Sequence, residues 1–293
     1  MRKFYLVTTE HLEDALWFRD DGDFSTGMNY VAIQAALTPE VIVLAFILMS
    51  NHIHLLVYGT YEEVEAFVNS LKRRYSQYLQ GRYGINGLLR RNGVEISEIS
   101  AEEPESLERA LAYVQMNCVA ANICLHPGQY PWGTGNAFFQ VGQVRQYRRL
   151  GDLSGRERIR LMHSEDALHL PREWLVSDAG YVLPEMYVDA RFVESAFRSP
   201  KRMQYFLNSS SKARKRLEGG DTNLPAFKDQ TILRALPDLI QSLFQKSTFA
   251  ELSVPEQAET LRQVRFRFSA GVHQAARVCG ISYADAAKLL DGI

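Results

Sequence analysis

Two histidines one residue apart are the first residues in this sequence that could do chemistry. His52 and His54 lie in residues 52–58, whose composition predicts a β-strand. Side chains two positions apart point to the same face of a strand, so both imidazoles could bind one cation. Imidazole suits transition metals better than magnesium, but a site completed by amide and phosphate oxygens could hold either Mg²⁺ or Mn²⁺. The structural alternative is a pair of hydrogen-bonded histidines on a half-buried strand.

A tyrosine and an asparagine four residues apart form the second candidate group. Tyr113 and Asn117 lie on a helix predicted over about residues 104–125, where a spacing of four rotates one side chain from the other by only about 40°. Tyrosine can act as a covalent nucleophile, and an amide oxygen can bind a cation that also binds a phosphate. Taken alone, a tyrosine at such a position is more often a surface aromatic whose hydroxyl is in water.

Both groups lie in segments that resemble one known family. Residues 49–57, Met-Ser-Asn-His-Ile-His-Leu-Leu-Val, resemble the signature of the IS200-like transposases, whose relatives include the REP-associated tyrosine transposases. Residues 113–120, with the His-Pro and Tyr-Pro-Trp segments at 126–127 and 130–132, resemble the same family's nucleophile helix and the segment after it. The two motifs follow the family's order over about residues 1–140.

The family belongs to the HUH single-strand nucleases, and the resemblance implies a role for each candidate residue. It implies that His52 and His54 bind the divalent metal, that Tyr113 is the single nucleophile and that Asn117 is a third, amide ligand. Such enzymes cut single-stranded DNA beside a hairpin, leave a 5′-phosphotyrosine link and a free 3′-hydroxyl, and transfer the strand by the reverse attack. The family usually works as a dimer, often with the tyrosine helix completing the partner's site, so a homodimer is expected.

The chain departs from the family's pattern at two places. Cys118 stands where a proline commonly follows the helix asparagine, at a position on the packing side of the helix. Residues 87–93 occupy a stretch in which relatives typically carry an aromatic residue and a Gly-Arg pair that help to hold DNA. After about residue 140 the chain resembles only an extended subgroup of the family, through a tail that ends in residues 276–282.

The elements that must position these residues follow from periodicity and turn signals. Alternating and β-branched runs predict strands, helical spacing of apolar residues predicts helices, and Gly, Pro and Asn mark the breaks. The order β-α-β-β-α-β-α predicts an α+β fold: a ferredoxin-like split βαβ antiparallel sheet with helices on one face, followed by a mostly helical C-terminal region. The predicted elements are strands over 2–9, 41–49, 52–58 and 94–99 and helices over about 28–37, 61–83 and 104–125.

Three regions are predicted along the chain. Residues 1–140 would form the transposase-like domain, residues 141–220 an irregular basic middle region, and residues 221–293 a helical domain. In the last region, a capping-box pattern at 253–256 precedes one helix, and two further helices flank Gly280. This is the outline of a helix-turn-helix that reads DNA, although an ordinary three-helix subdomain would look similar.

Charge and aromatic residues indicate where an anionic partner could bind. The net charge is −1, but residues 1–140 carry 10 Lys+Arg against 16 Asp+Glu and residues 141–293 carry 23 against 18. Basic and aromatic residues together suit a single strand, whose phosphates and bases they can both contact, although solvated helix faces are the simpler explanation. The DNA-binding candidates are Lys72, Arg73, Arg74, Tyr75, Tyr78 and Arg82 in the predicted helix over 61–83, and Lys201, Arg202, Lys212, Arg214, Lys215 and Arg216 in the middle region. Tyr75, Tyr78 and Tyr83 are also alternatives to Tyr113 as the nucleophile.

Composition excludes several other classes of protein. With 46% hydrophobic and 23% charged residues the chain is neither disordered nor fibrous. Its longest apolar run, residues 41–49, is far shorter than the roughly 20 residues of a membrane helix. The first residues lack the apolar core of a secretory signal, so a cytoplasmic, nucleoid-associated protein is expected. Three cysteines without C-x-x-C spacing argue against a disulfide framework or a cysteine-rich zinc module.

These observations predict a metal-dependent endonuclease and strand transferase for single-stranded or hairpin DNA. A domesticated DNA-binding regulator that keeps the fold but does not cut is the alternative. A metal hydrolase that attacks a small phosphoester through bound water is a third possibility, in which Tyr113 would be dispensable.

Overall fold

The chain folds around a four-stranded antiparallel sheet, which confirms the predicted α+β fold class. A computed structural model describes residues 1–12, 15–89, 92–100, 102–121, 123–140, 147–210, 227–268 and 270–291. The strands are β1 (Lys3–Thr9), β2 (Ile42–Met49), β3 (His52–Gly59) and β4 (Val94–Ile99). They lie in the order β2-β3-β1-β4, as in a ferredoxin-like split βαβ unit.

Two long helices cover one face of this sheet. They are α1 (Asp21–Leu37) and α2 (Tyr61–Tyr83). A Cβ atom on Gly27 of α1 would lie 3.0 Å from Leu48 Cδ1, and one on Gly59 would lie 3.3 Å from Val64 Cγ2 of α2. Leu48 pairs with Ile53, and Ile53 and Gly59 are an even number of residues apart on β3, so both contacts are on the same face.

The first helix begins earlier than predicted. The apolar spacing predicts a helix that begins at about residue 28, and the Asp20-Asp21-Gly22-Asp23 stretch before it has the composition of a turn. Instead, the Asp20 side chain accepts a hydrogen bond from the Asp23 amide and caps a helix that starts at Asp21. Short acidic residues satisfy the unpaired amides of a helix N-terminus as well as they satisfy a turn, so the same composition permits both structures.

The other helices of the first 210 residues are shorter. They are α3 (Ser106–Gln115), α4 (Asn117–Ala120), α5 (Gly155–Met162), α6 (Ala190–Phe197) and α7 (Pro200–Ser209). The single helix predicted over about 104–125 is therefore wrong in its extent. The backbone of Met116 has φ −78° and ψ 0°, which ends α3, and α4 resumes for only four residues.

The second face of the sheet is covered by helices from both sides of residue 140. Phe4 of β1 stacks on Phe192 of α6, with ring centroids 5.7 Å apart. Arg202 of α7 pairs with Glu105 and Glu108 at the start of α3, at 3.2 Å in each case. The described part of the middle region, residues 147–210, shares one continuous apolar core with the first domain. It contains short elements, among them the strands β5 (Arg148–Arg149) and β6 (Leu175–Val176).

Residues 130–134 run along the outer edge of β2. The Leu48 amide donates to Trp132 O at 2.9 Å, and the Thr134 amide donates to Phe46 O at 3.0 Å. The Tyr130 hydroxyl donates to Leu48 O at 2.7 Å. Gly133 lies in the middle of this contact, opposite Ile47.

Gly133→Ala is expected to lower the free energy of unfolding by about 2 kcal/mol, because steric overpacking in a core costs about 1–3 kcal/mol. The new Cβ would lie 2.6 Å from the carbonyl oxygen of Phe46. Gly81→Ala is the matched control, because no atom of the described residues outside the backbone of its own helix lies within 4 Å of the added Cβ. That variant should gain about 0.5–1 kcal/mol from helix propensity. Urea denaturation of both variants measures the difference, and equal stabilities would contradict the proposed close approach.

The C-terminal helices pack around a second apolar core. They are α8 (Asp229–Phe244), α9 (Val254–Phe268), α10 (Val272–Cys279) and α11 (Tyr283–Asp291). Ser253 and Glu256 form the predicted cap, with the Ser253 amide donating to Glu256 Oε2 at 2.6 Å. Gly280 ends α10 at φ 69°, a left-handed conformation that favours glycine. The predicted succession of helices is confirmed, whereas DNA reading by α10 and α11 stays a prediction.

Candidate active site

His52 and His54 lie side by side on β3, as their spacing predicts. Their Nε2 atoms are 3.1 Å apart, and both side chains are buried. Ile53, between them, pairs with Leu48 on the face that α1 and α2 cover. Because side chains alternate along a strand, His52 and His54 lie on the opposite face. Two imidazole nitrogens at this separation point to one small volume.

The outer nitrogen of each ring is held by a neighbouring side chain. His52 Nδ1 lies 3.0 Å from Asn51 Oδ1, and His54 Nδ1 lies 2.9 Å from Thr8 Oγ1. Asn51 Oδ1 is an acceptor, so His52 Nδ1 donates and its Nε2 carries the lone pair. Such partners fix the tautomer and orientation of metal-binding histidines. The two Nε2 atoms lie within hydrogen-bond distance of each other and face one volume, where a bound cation would replace that hydrogen bond.

A third histidine, which neither sequence motif contains, joins this group. The ring of His11 stacks on that of His52, with centroids 3.6 Å apart. His11, His52 and His54 each offer a nitrogen within 4.8 Å of the others, so the three lie close enough to bind a metal ion. The register of β1 against β3 could have revealed it. Thr8 is opposite His54, so the chain beyond Thr8 runs on beside His52, which precedes His54.

Tyr113 lies beside this group in the same chain. Its ring meets that of His54 edge to face, with centroids 5.6 Å apart. The side chain is half-buried. Burial raises the pKa of the Tyr113 phenol above its ordinary value, and the Glu95 carboxylate raises it further. Glu95 pairs with Thr8 across β4 and β1, which puts it in the same row of the sheet as His54.

Asn117 follows Tyr113 at the start of α4 and is buried. Its Nδ2 donates to Tyr113 O at 2.8 Å and to Val114 O at 3.2 Å. The amide nitrogen is thus used within the helix, and Oδ1 is the atom that could bind a cation. Its role as a third ligand stays a prediction.

Several predicted DNA contacts on α2 are corrected by burial. Tyr75 is 1% exposed and donates to Trp17 O, and Tyr78 is 9% exposed and donates to Asp23 Oδ1. Lys72 is also buried, with its amine donating to Asn92 O. Tyr75 and Tyr78 belong to the buried face of α2, so their rings cannot stack on bases, and the Lys72 amine is held by Asn92 O.

The remaining basic residues of α2 differ in their surroundings. Arg74 pairs with Asp166 at 2.7 Å, and Arg82 pairs with Asp20 and Asp23 at 2.6 and 2.7 Å. Their charges are therefore compensated within the fold. Arg73 is exposed, and its contact with phosphate stays a prediction. Tyr83, an alternative nucleophile, donates to Asp23, on the α1–α2 side of the sheet.

The basic segment of the middle region also contains both exposed residues and residues paired within the fold. Lys201 is exposed and Tyr205 is 65% exposed on α7. Arg202 instead turns toward Glu105 and Glu108 of α3. The other four candidates, Lys212, Arg214, Lys215 and Arg216, lie outside the described residues.

No protein-family model matches the chain, and no curated protein is significantly similar to it. The resemblance to tyrosine transposases therefore stays a prediction from the two sequence motifs. Among the described residues, no helix is long and apolar enough to span a membrane.

Thr8→Val is expected to weaken divalent-metal binding about tenfold, because loss of a partner that orients a histidine ligand costs about 10–100-fold in affinity. The substitution keeps the shape of the side chain and removes the oxygen that lies 2.9 Å from His54 Nδ1. Titration calorimetry with Mn²⁺ measures the change. Ser97→Ala, on the same face of β4, is the control. An unchanged affinity in Thr8→Val would contradict a ligand role for His54.

Proposed function

We propose that this protein is a metal-dependent endonuclease and strand transferase that acts on single-stranded DNA through a tyrosine. The observation that carries the proposal is the 5.6 Å separation between the ring centres of Tyr113 and His54. His54 is in turn one of three histidines with nitrogens within 4.8 Å of one another. A nucleophile beside a cation site is what phosphodiester transesterification requires.

In the proposed reaction the Tyr113 hydroxyl oxygen attacks a backbone phosphorus. A bond forms between the phenolic oxygen and phosphorus, and the bond from phosphorus to the 3′-oxygen breaks. The phenol loses its proton and the departing oxygen gains one, which leaves a 3′-hydroxyl and a 5′-phosphotyrosine. Attack of a 3′-hydroxyl on this link reverses the step and joins strands without ATP. A bound cation would offset the negative charge of the phosphate.

The ligand set favours Mn²⁺ over Mg²⁺ among the two predicted ions. His11, His52 and His54 would supply three imidazole nitrogens, whereas Mg²⁺ prefers oxygen ligands and keeps several waters. Asn117 Oδ1 and phosphate oxygens are the donors that could complete the coordination.

The proposed strand contacts are two exposed members of the predicted set and one further residue. Lys201 and Arg73 offer charge for phosphates, and Tyr205, which was not among the predicted contacts, offers an exposed aromatic ring on which a base can stack. A homodimer remains part of the proposal. The contact between Tyr113 and His54 within one chain supports a site whose tyrosine and histidines come from the same protomer.

The test uses a single-stranded oligonucleotide that carries a stable hairpin between randomised flanks, incubated with the protein and Mn²⁺. A covalent adduct that survives denaturation is expected when the DNA is labelled at its 3′ end, because that part stays on the tyrosine. DNA labelled at its 5′ end should instead be released as a shorter strand with a free 3′-hydroxyl. If neither labelled DNA forms an adduct, the proposal is overturned and the non-cutting regulator is favoured.

A further inference from the structure

Helix α8 contacts the corner formed by Ser50 and Asn51, which connects β2 to the histidine-bearing strand β3. We propose that Asp229, the first residue of α8, is a positioning residue for the metal site, so that the C-terminal domain and the histidines are coupled. The inference rests on the proposed function, because it concerns the same cation site. It assigns to the C-terminal domain a second role besides the predicted reading of DNA.

The corner between β2 and β3 is the point where this coupling acts. Asn51 holds His52 through Oδ1, at 3.0 Å from Nδ1. Its Nδ2 donates to Leu12 O at 2.9 Å, and the Leu12 amide donates back to Asn51 O at 3.1 Å. Leu12 follows His11 directly. Asn51 therefore links the segments that carry two of the three histidines, and a shift of the corner would move both.

The residue before Asn51 is held from the C-terminal domain. The Ser50 hydroxyl donates to Asp229 Oδ2 at 2.8 Å. Ser50 O accepts hydrogen bonds from the amides of Trp17 at 2.8 Å and Phe18 at 3.2 Å. Gln230 adds a second link between the domains, since its Nε2 donates to Phe18 O at 3.0 Å. Helix α8 therefore holds Ser50 directly through Asp229, and it holds Phe18, whose amide donates to Ser50 O, through Gln230.

Asp229 is itself fixed by α10. Gln274 Nε2 donates to Asp229 Oδ1 at 2.8 Å, and Arg277 Nε donates to Oδ2 at 3.1 Å. The carboxylate is 6% exposed, so its three hydrogen bonds operate in a medium of low dielectric constant, where each is stronger than in water. Gln274 and Arg277 belong to the first helix of the predicted helix-turn-helix. A displacement of α10 would therefore reach the Ser50 corner through one carboxylate.

The experiment measures Mn²⁺ affinity by titration calorimetry on the full-length, metal-stripped chain. Asp229→Ala is expected to weaken binding about tenfold, by analogy with partners that orient histidine ligands. Asp229→Asn keeps one carbonyl acceptor and should restore part of the affinity. Ser50→Ala removes the same link from the other side, and the double variant should lose little more than either single one. Arg234→Ala is the control, because its ion pair with Asp21 is 4.0 Å long and exposed.

Hydrogen exchange supplies a readout that needs no metal. The amides of Leu12 and Trp17 should exchange faster in Asp229→Ala than in the wild type, while amides in the centre of β1 keep their protection. Wild-type affinity in both Asp229 variants would overturn this inference and leave the proposed function intact. Failure of the wild type to bind Mn²⁺ would overturn both.

Discussion

Replacing Tyr113 by phenylalanine is expected to abolish the covalent adduct with single-stranded DNA, with a loss of at least about a thousandfold in cleavage rate, as for removal of other catalytic nucleophiles. The substitution removes only the hydroxyl oxygen that would attack phosphorus. The ring that packs edge to face on His54 remains. Folding, Mn²⁺ binding and DNA binding should therefore stay near wild-type values.

Denaturing gels with 3′-labelled hairpin DNA measure the adduct. Tyr61→Phe, at an exposed position of α2, is the matched control and should form the adduct normally. Tyr83→Phe tests the remaining alternative nucleophile. If Tyr113→Phe retained phosphoester turnover while His52→Ala lost it, the protein would be a hydrolase that uses bound water.

His54→Ala should lower Mn²⁺ affinity by more than about a hundredfold. Substitution of a residue that only orients a metal ligand already costs about 10–100-fold in metal affinity. His54 is 1% exposed, with Nε2 3.1 Å from that of His52. Cleavage should be lost in parallel. His11→Ala removes the exposed member of the group and should have a smaller effect, about tenfold or more by the same comparison.

Calorimetry on metal-stripped protein measures both variants, and thermal unfolding in the presence of a chelator shows whether each still folds. His169→Ala, at an exposed position outside the group, serves as the control. A His11→Ala variant with unchanged affinity would remove His11 from the ligand set. An unchanged His54→Ala variant would contradict the metal site as a whole.

The parts of the site that could be predicted from sequence are those that depend on local periodicity. A spacing of two on a strand placed His52 and His54 together, and the motif order linked Tyr113 to them. His11 could not be found in this way, because it joins the group through the pairing of β1 with β3. Register between distant strands is set by packing of the whole sheet and is not encoded in a short segment.

The errors on the helices have a similar origin. Tyr75 and Tyr78 satisfy both a base-stacking motif and an apolar stripe, and only tertiary packing against Trp17 and Asp23 decides between them. The acidic stretch before α1 fits a turn as well as a helix cap. The middle region lacks periodicity because its short pieces are stabilised by contact with the sheet, through residues such as Phe192.

The segments that line the outer edge of β2 prevent another copy of the chain from pairing with this strand. Exposed strands offer unpaired amides and carbonyls that can template association between chains. Here Trp132, Thr134 and Asp189 take up hydrogen bonds of Leu48, Phe46 and Val43 along that side. The strand that pairs with the histidine-bearing β3 is thus shielded from intermolecular strand addition, and this shield guards the region against aggregation.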